Sequence, residues 1–244
     1  MSKVLFDHVA MVIPRMADAP AVLVGVLGGV PTDGASSPVF NWGVWRFEGG
    51  GDLEILEPRG PDGFVHRFLA SQGPGIHHVT FKVPSLQEVC ERAEARGYII
   101  VGRDESDPTW MEAFLHPRQA LGIVVQFAEE RVRPPEGHRR WQPPPGPPDP
   151  PPPVRVLGLR MSARSREAAR RQWEEILLGE GEPIQDGALT YRWPGSPMRL
   201  VVEIDANAEE GPLAIEYAST RVVTLPDGAH SVLGARFVRC RSEV

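Results

Sequence analysis

Cysteine is scarce. Only Cys90 and Cys240 occur in 244 residues, far apart and in no CxxC or Cys/His cluster. That excludes a disulfide framework and a thiolate zinc site, and both thiols are expected to be buried or inert. Long apolar runs are also missing: none approaches the ~20 residues needed to span a bilayer. The opening MSKVLFDHVA has neither the basic start nor the apolar stretch of a signal peptide, so a cytoplasmic location is expected, with no membrane partner. Excess positive charge is absent as well. Lys and Arg number 26 against 32 Asp and Glu, the net charge is −6, and no basic stripe interleaves with aromatics. Nucleic acid is therefore not an expected partner.

Apolar residues make up 41% of the chain, enough to build a core for one large domain or two small ones. Proline, by contrast, is abundant and concentrated. Between Pro143 and Pro153 nine of eleven residues are proline, preceded by the polar stretch RVRPPEGHRRWQ. Such a segment supports neither helix nor strand pairing, and it reads as an extended, semi-rigid linker over residues 133–153.

The chain repeats itself before that linker. His8-Val9-Ala10-Met11-Val12-Ile13-Pro14 matches His78-Val79-Thr80-Phe81-Lys82-Val83-Pro84, each opening on His-Val and closing on an apolar-Pro pair. A helix is expected after each block. The first is ADAPAVLVGVLGG; the second is SLQEVCERAEARGY, with Ser85 as N-cap, Glu88 completing a capping box and Gly97 ending it. Short alternating runs follow: FNWGVWRFE and DLEILEP in the first copy, YIIVG, WMEAFLHP and GIVVQFAE in the second. Both copies read as strand, helix, three strands.

The second half carries a fainter echo. VLGLRMSARS lies on HHVTFKVPS with Gly158 at the histidine position, and Glu203 falls at the carboxylate spacing. GPLAIEYAS resembles GIHHVTFKV with Ala214 where His78 would be. Residues 154–244 are thus expected to form a related half without a metal centre. Two arrangements stay open: modules paired within one chain, or the incomplete second half completing its sheet in a homodimer.

Four donor residues fall at repeat-related positions: His8 and His78 open the two modules, Glu54 and Gln126 lie in their last strands. Two imidazoles, a carboxylate and an amide suit a divalent first-row ion, Co, Ni, Mn, Zn or Fe, with positions left for water or substrate. Strand alternation puts Asp52, Glu54 and Leu56 on one face and Val124, Gln126 and Ala128 on another. His77 shares the opposite face from His78 and is expected to pack behind the ligands. Glu57 reads as a turn residue, and His66, His116, His138 and His230 as structural. Phe40, Trp42, Trp45, Trp110 and Phe114 are candidates for an apolar substrate wall, although parity allows only one of Trp42 and Trp45 to face the site.

Taken together, FDHVAMVIP, DLEILEP, GPGIHHVTFKVPSL and EAFLHPRQALGIVVQFAE resemble the vicinal oxygen chelate superfamily, and within it methylmalonyl-CoA epimerase and its glyoxalase-like relatives. The likeness covers about the first 130 residues. It implies an α+β fold in which paired βαβββ modules form a curved, cup-shaped mixed sheet over residues 1–132, with a degenerate half beyond the linker. It implies that His8, Glu54, His78 and Gln126 hold the metal, and that a small carbonyl or carboxylate substrate, a thioester among the candidates, reacts by stabilised-enolate chemistry. Gln126 departs from the pattern. It stands where the family has a glutamate and cannot act as a carboxylate base, so the proton-transfer role moves to Glu54. Two other functions fit the same family: an iron-dependent dioxygenase, and a non-catalytic binding protein of the bleomycin-resistance type.

Overall fold

The structure, a computed structural model, describes residues 3–131, 143–184 and 187–240. Its strands form two open mixed sheets with few helices, an α+β arrangement in two similar halves. The first sheet contains β1 (Leu5–Val12), β2 (Val30–Ser36), β3 (Phe40–Arg46), β4 (Asp52–Pro58), β5 (Gly75–Lys82), β6 (Ile100–Asp104), β7 (Trp110–Leu115) and β8 (Val124–Glu130). Their order is β2-β3-β4-β1-β5-β8-β7-β6. The second contains β9 (Arg155–Ala163), β10 (Glu180–Pro183), β11 (Leu189–Arg192), β12 (Arg199–Ile204), β13 (Gly211–Ala218) and β14 (Phe237–Arg239), ordered β10-β11-β12-β9-β13-β14.

One pairing rule repeats through both sheets. The first strand of a module runs parallel to its last: β1 with β4, β5 with β8, β9 with β12. Parallel neighbours need a crossover, and the intervening helix and hairpin strands supply it. Residues more than forty positions apart thereby become lateral neighbours, which is how Ala10 comes to face Glu54 and Thr80 to face Gln126.

Local sequence explains where helices succeed. α1 is only Pro20–Leu23, shorter than the expected ADAPAVLVGVLGG helix, because Gly25, Gly28 and Gly29 weaken its continuation. Gly28 has φ +76, and a Cβ there would strike the Pro151 and Pro152 carbonyls. α2 (Phe64–Gln72) lies between the modules and was not anticipated from the repeat, although Phe64, Val65, Phe68 and Leu69 mark one apolar face and Gly73 closes it. α3 (Leu86–Glu94) starts where expected: Ser85 Oγ accepts from the Glu88 amide at 3.2 Å, and Gly97 follows with φ +82. α4 (Arg166–Arg170), capped by Ser165, runs into a wider π-type turn over Arg171–Ile176.

From residue 143 the proline tract carries neither helix nor strand, but it does not run free of the first module. Val154 N donates to Leu27 O, Glu48 N donates to Val154 O, and Arg221 Nε reaches Pro152 O at 3.0 Å. Residues 132–142, which hold most of the polar stretch and His138, lie outside the described residues. Among the described residues no helix is long and apolar enough to cross a membrane.

By packing, the chain divides into two compact units, Met1–Asp7, His78–Glu136, Gly158–Leu213 and His8–His77, Gly137–Leu157, Ala214–Val244. An aromatic cluster anchors the first. Phe81 stacks on Phe6 at 5.0 Å between centroids and meets Trp193 at 4.7 Å and Trp173 at 5.9 Å. In the second unit Ala10, Val12, Leu56 and Val65 form a small buried cluster, with Phe40, Trp42, Phe64, Phe68 and Leu69 packed against it.

Candidate metal centre

In a strand pair, residues directly opposite one another share a face. His8 lies opposite Asp52, Ala10 opposite Glu54, and Val12 opposite Leu56, while Val44 and Trp42 extend the rows into β3. One face therefore carries His8, Asp52, Glu54, Val44, Trp42 and Phe40. Its apolar end is the cluster under α2, and its polar end is the carboxylate and imidazole pair. The opposite face carries Val9, Met11, Leu53 and Ile55, all fully buried in the core.

His8 and Glu54 are both buried, and His8 Nε2 sits 3.4 Å from Glu54 Oε2. Beside them Asp52, also buried, is held by a bidentate contact from Arg46 Nε and Nη2 at 2.9 and 2.6 Å. That guanidinium fork engages both oxygens of Asp52. Glu54 places its Oε2 next to the His8 imidazole, while Asp52, opposite His8 in the register, is engaged by Arg46.

In β5 and β8 the register sets Thr80 opposite Gln126 and His78 opposite Val124, with Phe114 and Glu112 of β7 continuing the same face. His78 is buried and so is Gln126. The Gln126 amide is hydrogen-bonded at both ends: its Oε1 accepts from Thr80 Oγ1 at 2.6 Å, and its Nε2 donates to Glu112 Oε2 at 2.6 Å. Trp110 Nε1 donates to the same Glu112 oxygen at 2.9 Å.

His8, Glu54 and His78 each offer one ligand atom, and the three atoms lie within 4.8 Å of one another. Two donors bound about 2.1 Å from one ion stand roughly 3.4 Å apart in a tetrahedron and at most about 4.2 Å apart in any geometry. The His8–Glu54 separation of 3.4 Å meets the tetrahedral value, and the full set needs only small side-chain adjustment. Two neutral imidazole nitrogens and one carboxylate are the donor chemistry of a divalent first-row ion with open positions. The residues present therefore fit such a group. Among the described residues no second cluster of this kind occurs.

The remaining candidates separate by face. Phe40 and Trp42 share the face of His8 and Glu54; Trp110 and Phe114 share that of His78 and Gln126. Trp45 does not join them. It lies opposite Leu53 on the core face and is fully buried, and its Nε1 has no hydrogen-bond partner among the described residues. His77 packs against Phe64 and Phe68 at 5.3 and 5.0 Å, and burial among these rings pushes its imidazole down to about 4, so it is neutral at ordinary pH. Glu57 is more than a turn residue: its two oxygens accept from Met16 N and Asn41 Nδ2, tying β3 and β4 to the turn after β1. His66, His116 and His230 make local contacts to Gly60 O, Arg118 N and Val232 N. A cavity of about 640 Å³, lined among others by Arg46, Phe47, Pro152 and Arg221, contains none of the four donors.

The sequence pattern assigned no role to Thr80 or Glu112, and it placed Asp52 on the face of Glu54 without one. The signal for Glu112 was available, since it alternates with Trp110 and Phe114 on a strand whose partner carries Gln126. It had no counterpart in the first module, where register puts Trp42 at that place.

In the second half the structure corrects the expected carboxylate. Gly158 lies opposite Arg199, Arg160 opposite Val201 and Ser162 opposite Glu203. The position equivalent to Glu54 is therefore Val201, and Glu203 is instead paired with Arg160 at 2.8 Å. Gly158 has φ +131, and a Cβ there would overlap the Arg199 carbonyl oxygen. Backbone geometry alone forbids a histidine at that place.

Comparison with known proteins agrees with the sequence resemblance. Residues 7–113 match the family described as the Glyoxalase/Bleomycin resistance protein/Dioxygenase superfamily. The uncharacterized protein YqjC of Bacillus subtilis (strain 168) is 27% identical over 128 residues, 51% of this chain and 91% of that protein. Among solved structures, a mutant of 4-hydroxymandelate synthase from Streptomyces coelicolor matches 90% of this chain and 72% of its own, with TM-score 0.62 and 16% identity. At that identity the likeness is one of fold, and it extends over both halves. Methylmalonyl-CoA epimerase from Mycobacterium tuberculosis matches 52% of this chain and 88% of its own, with TM-score 0.48 and 20% identity.

Proposed function

We propose that the chain, whose residues 7–113 are a domain of the Glyoxalase/Bleomycin resistance protein/Dioxygenase superfamily, is a divalent-metal-dependent enzyme of the glyoxalase and methylmalonyl-CoA epimerase type. Its substrate is a small carbonyl or carboxylate compound, thioesters included, and its chemistry is proton transfer next to a carbonyl. The observation that carries this reading is the buried His8, Glu54 and His78 set with ligand atoms within 4.8 Å. A bound divalent cation would draw electron density from a substrate carbonyl oxygen and make the adjacent C–H more acidic. His8, His78 and Gln126 are the residues that would hold it, together with Glu54.

Glu54 is the base in this reading, because Gln126 has no carboxylate and Asp52 is engaged by Arg46. It accepts the proton from the carbon next to the carbonyl and returns it. Phe40, Trp42, Phe64 and Phe68 offer apolar surface to the rest of the substrate and exclude water from that side. A single base suits isomerisation or one-sided lyase chemistry. The test is exchange of the substrate α-proton in D2O, followed by NMR on methylmalonyl-CoA and a panel of acyl thioesters and α-hydroxycarbonyl compounds. Exchange by the wild type and its loss in Glu54→Gln is the expected result; exchange that survives in Glu54→Gln removes the role.

Two histidines with one carboxylate also match a non-haem iron(II) dioxygenase. Oxygen uptake that depends on ferrous ion separates that reading, since isomerisation consumes none. A protein that binds no metal after chelator-free purification would instead be a binding module. The proposed setting is the cytoplasm, where Cys90 and Cys240 stay reduced, and the proposed partner is a small molecule rather than nucleic acid or a membrane. Association of two copies as a homodimer is read by light scattering.

A further inference from the structure

We propose that Glu112 is a positioning residue that fixes the Gln126 amide with its oxygen available as the fourth donor; this rests on the metal reading above. An amide has two chemically different ends, and only its oxygen can bind a cation. What decides the orientation is the neighbour that cannot change its role. Thr80 Oγ1, fully buried, lies 2.6 Å from Gln126 Oε1, but a hydroxyl both donates and accepts, so it adapts to either end. Glu112 cannot adapt. Its carboxylate accepts only, and at 2.6 Å from Gln126 Nε2 it excludes the flipped amide, which would set two oxygens against each other.

Glu112 is itself held in place. Trp110 Nε1, a donor only, binds the same Oε2 at 2.9 Å. Ala128 lies directly opposite Glu112, and its small side chain leaves the space through which the carboxylate reaches diagonally to Gln126. Thr80 uses one lone pair of Gln126 Oε1, which leaves the second for a cation. The charge matters too. A carboxylate on the N–H side of an amide polarises it toward its oxygen, so Glu112 makes the neutral Gln126 a stronger oxygen donor. Three residues on adjacent strands β5, β8 and β7 thus act as one chain, with Glu112 as its only fixed acceptor.

The experiment is cobalt(II) titration of the full-length, metal-stripped chain, read by affinity and by the visible absorption spectrum. Glu112→Leu is expected to weaken cobalt binding by about 10- to 100-fold, the range for losing an outer partner of a ligand, and to change the spectrum. Glu112→Gln keeps an oxygen acceptor for Trp110 and Gln126, so it should preserve the spectrum and lose affinity by a smaller factor. Wild-type affinity and spectrum in Glu112→Leu overturn the proposal while leaving the metal reading intact. If Glu112→Leu does not fold, Glu112→Gln decides, and affinity equal to wild type overturns it. A wild-type chain that binds no cobalt removes both the metal reading and the proposal.

Discussion

Loading the metal-stripped protein with a divalent cation should raise its melting temperature, by an amount that follows from the donors. His8 Nε2 and Glu54 Oε2 already stand 3.4 Å apart, so little reorganisation opposes binding. At free metal about 100 times Kd, binding to the folded state alone adds about 2.7 kcal/mol. A chain of this size gains roughly 2–4 °C per kcal/mol, which makes the expected rise about 5–11 °C. Differential scanning calorimetry on chelator-treated, dialysed protein measures it, with Mn, Co, Ni, Zn and anaerobic Fe(II) added in turn. Replacing His8 and His78 together by alanine should shrink the rise to under about 2 °C, because one carboxylate and one amide bind such ions weakly in water. An equal rise in that double variant would mean the cation binds elsewhere, and no rise in the wild type with any of the five ions would refute the site.

Phe81→Ala should destabilise the chain by about 3–5 kcal/mol in urea denaturation, because the fully buried ring meets Phe6, Trp173 and Trp193; a loss under about 1 kcal/mol contradicts the aromatic core. Gly158→His should give a poorly folded protein and no second metal site, since φ is +131 and the Cβ would overlap a backbone oxygen; a second equivalent of bound cobalt would contradict this. Cys90 is buried in α3, and burial pushes its thiol up, so in a Cys240→Ser background it should react with Ellman's reagent at pH 8 only after unfolding. Rapid native reaction would show that α3 opens readily.

Much of the site could be read because it rests on a repeat. His-Val followed by an apolar-Pro pair marks the same strand twice, and a strand of period two commits each donor to a face. His8, Glu54 and His78 became candidates that way, and the structure brings a ligand atom of each within 4.8 Å of the others; the Ser85 cap of α3 was legible from its own local motif. The repeat said nothing about what differs between copies. Among the described residues α2 has no partner in the second module, and Glu112 takes the place that Trp42 holds in the first. In the second half, spacing alone favoured Glu203, but strand register moved the equivalent position to Val201 by two residues.

The sequence by itself determined the candidate donor residues, their strands, and the parity that places His78 and His77 on opposite faces. It also determined that the second half lacks a histidine at Gly158. Only the tertiary structure decided which donors converge, because convergence depends on the parallel pairing of each module's first and last strands, and on register along that pairing. It alone sent Trp45 to the core and left Trp42 on the site face. The orientation of the Gln126 amide belongs to the same class. Nothing local to residue 126 fixes it; in the proposal above it is set by the Glu112 carboxylate on the neighbouring strand, while the Thr80 hydroxyl adapts to the end it meets.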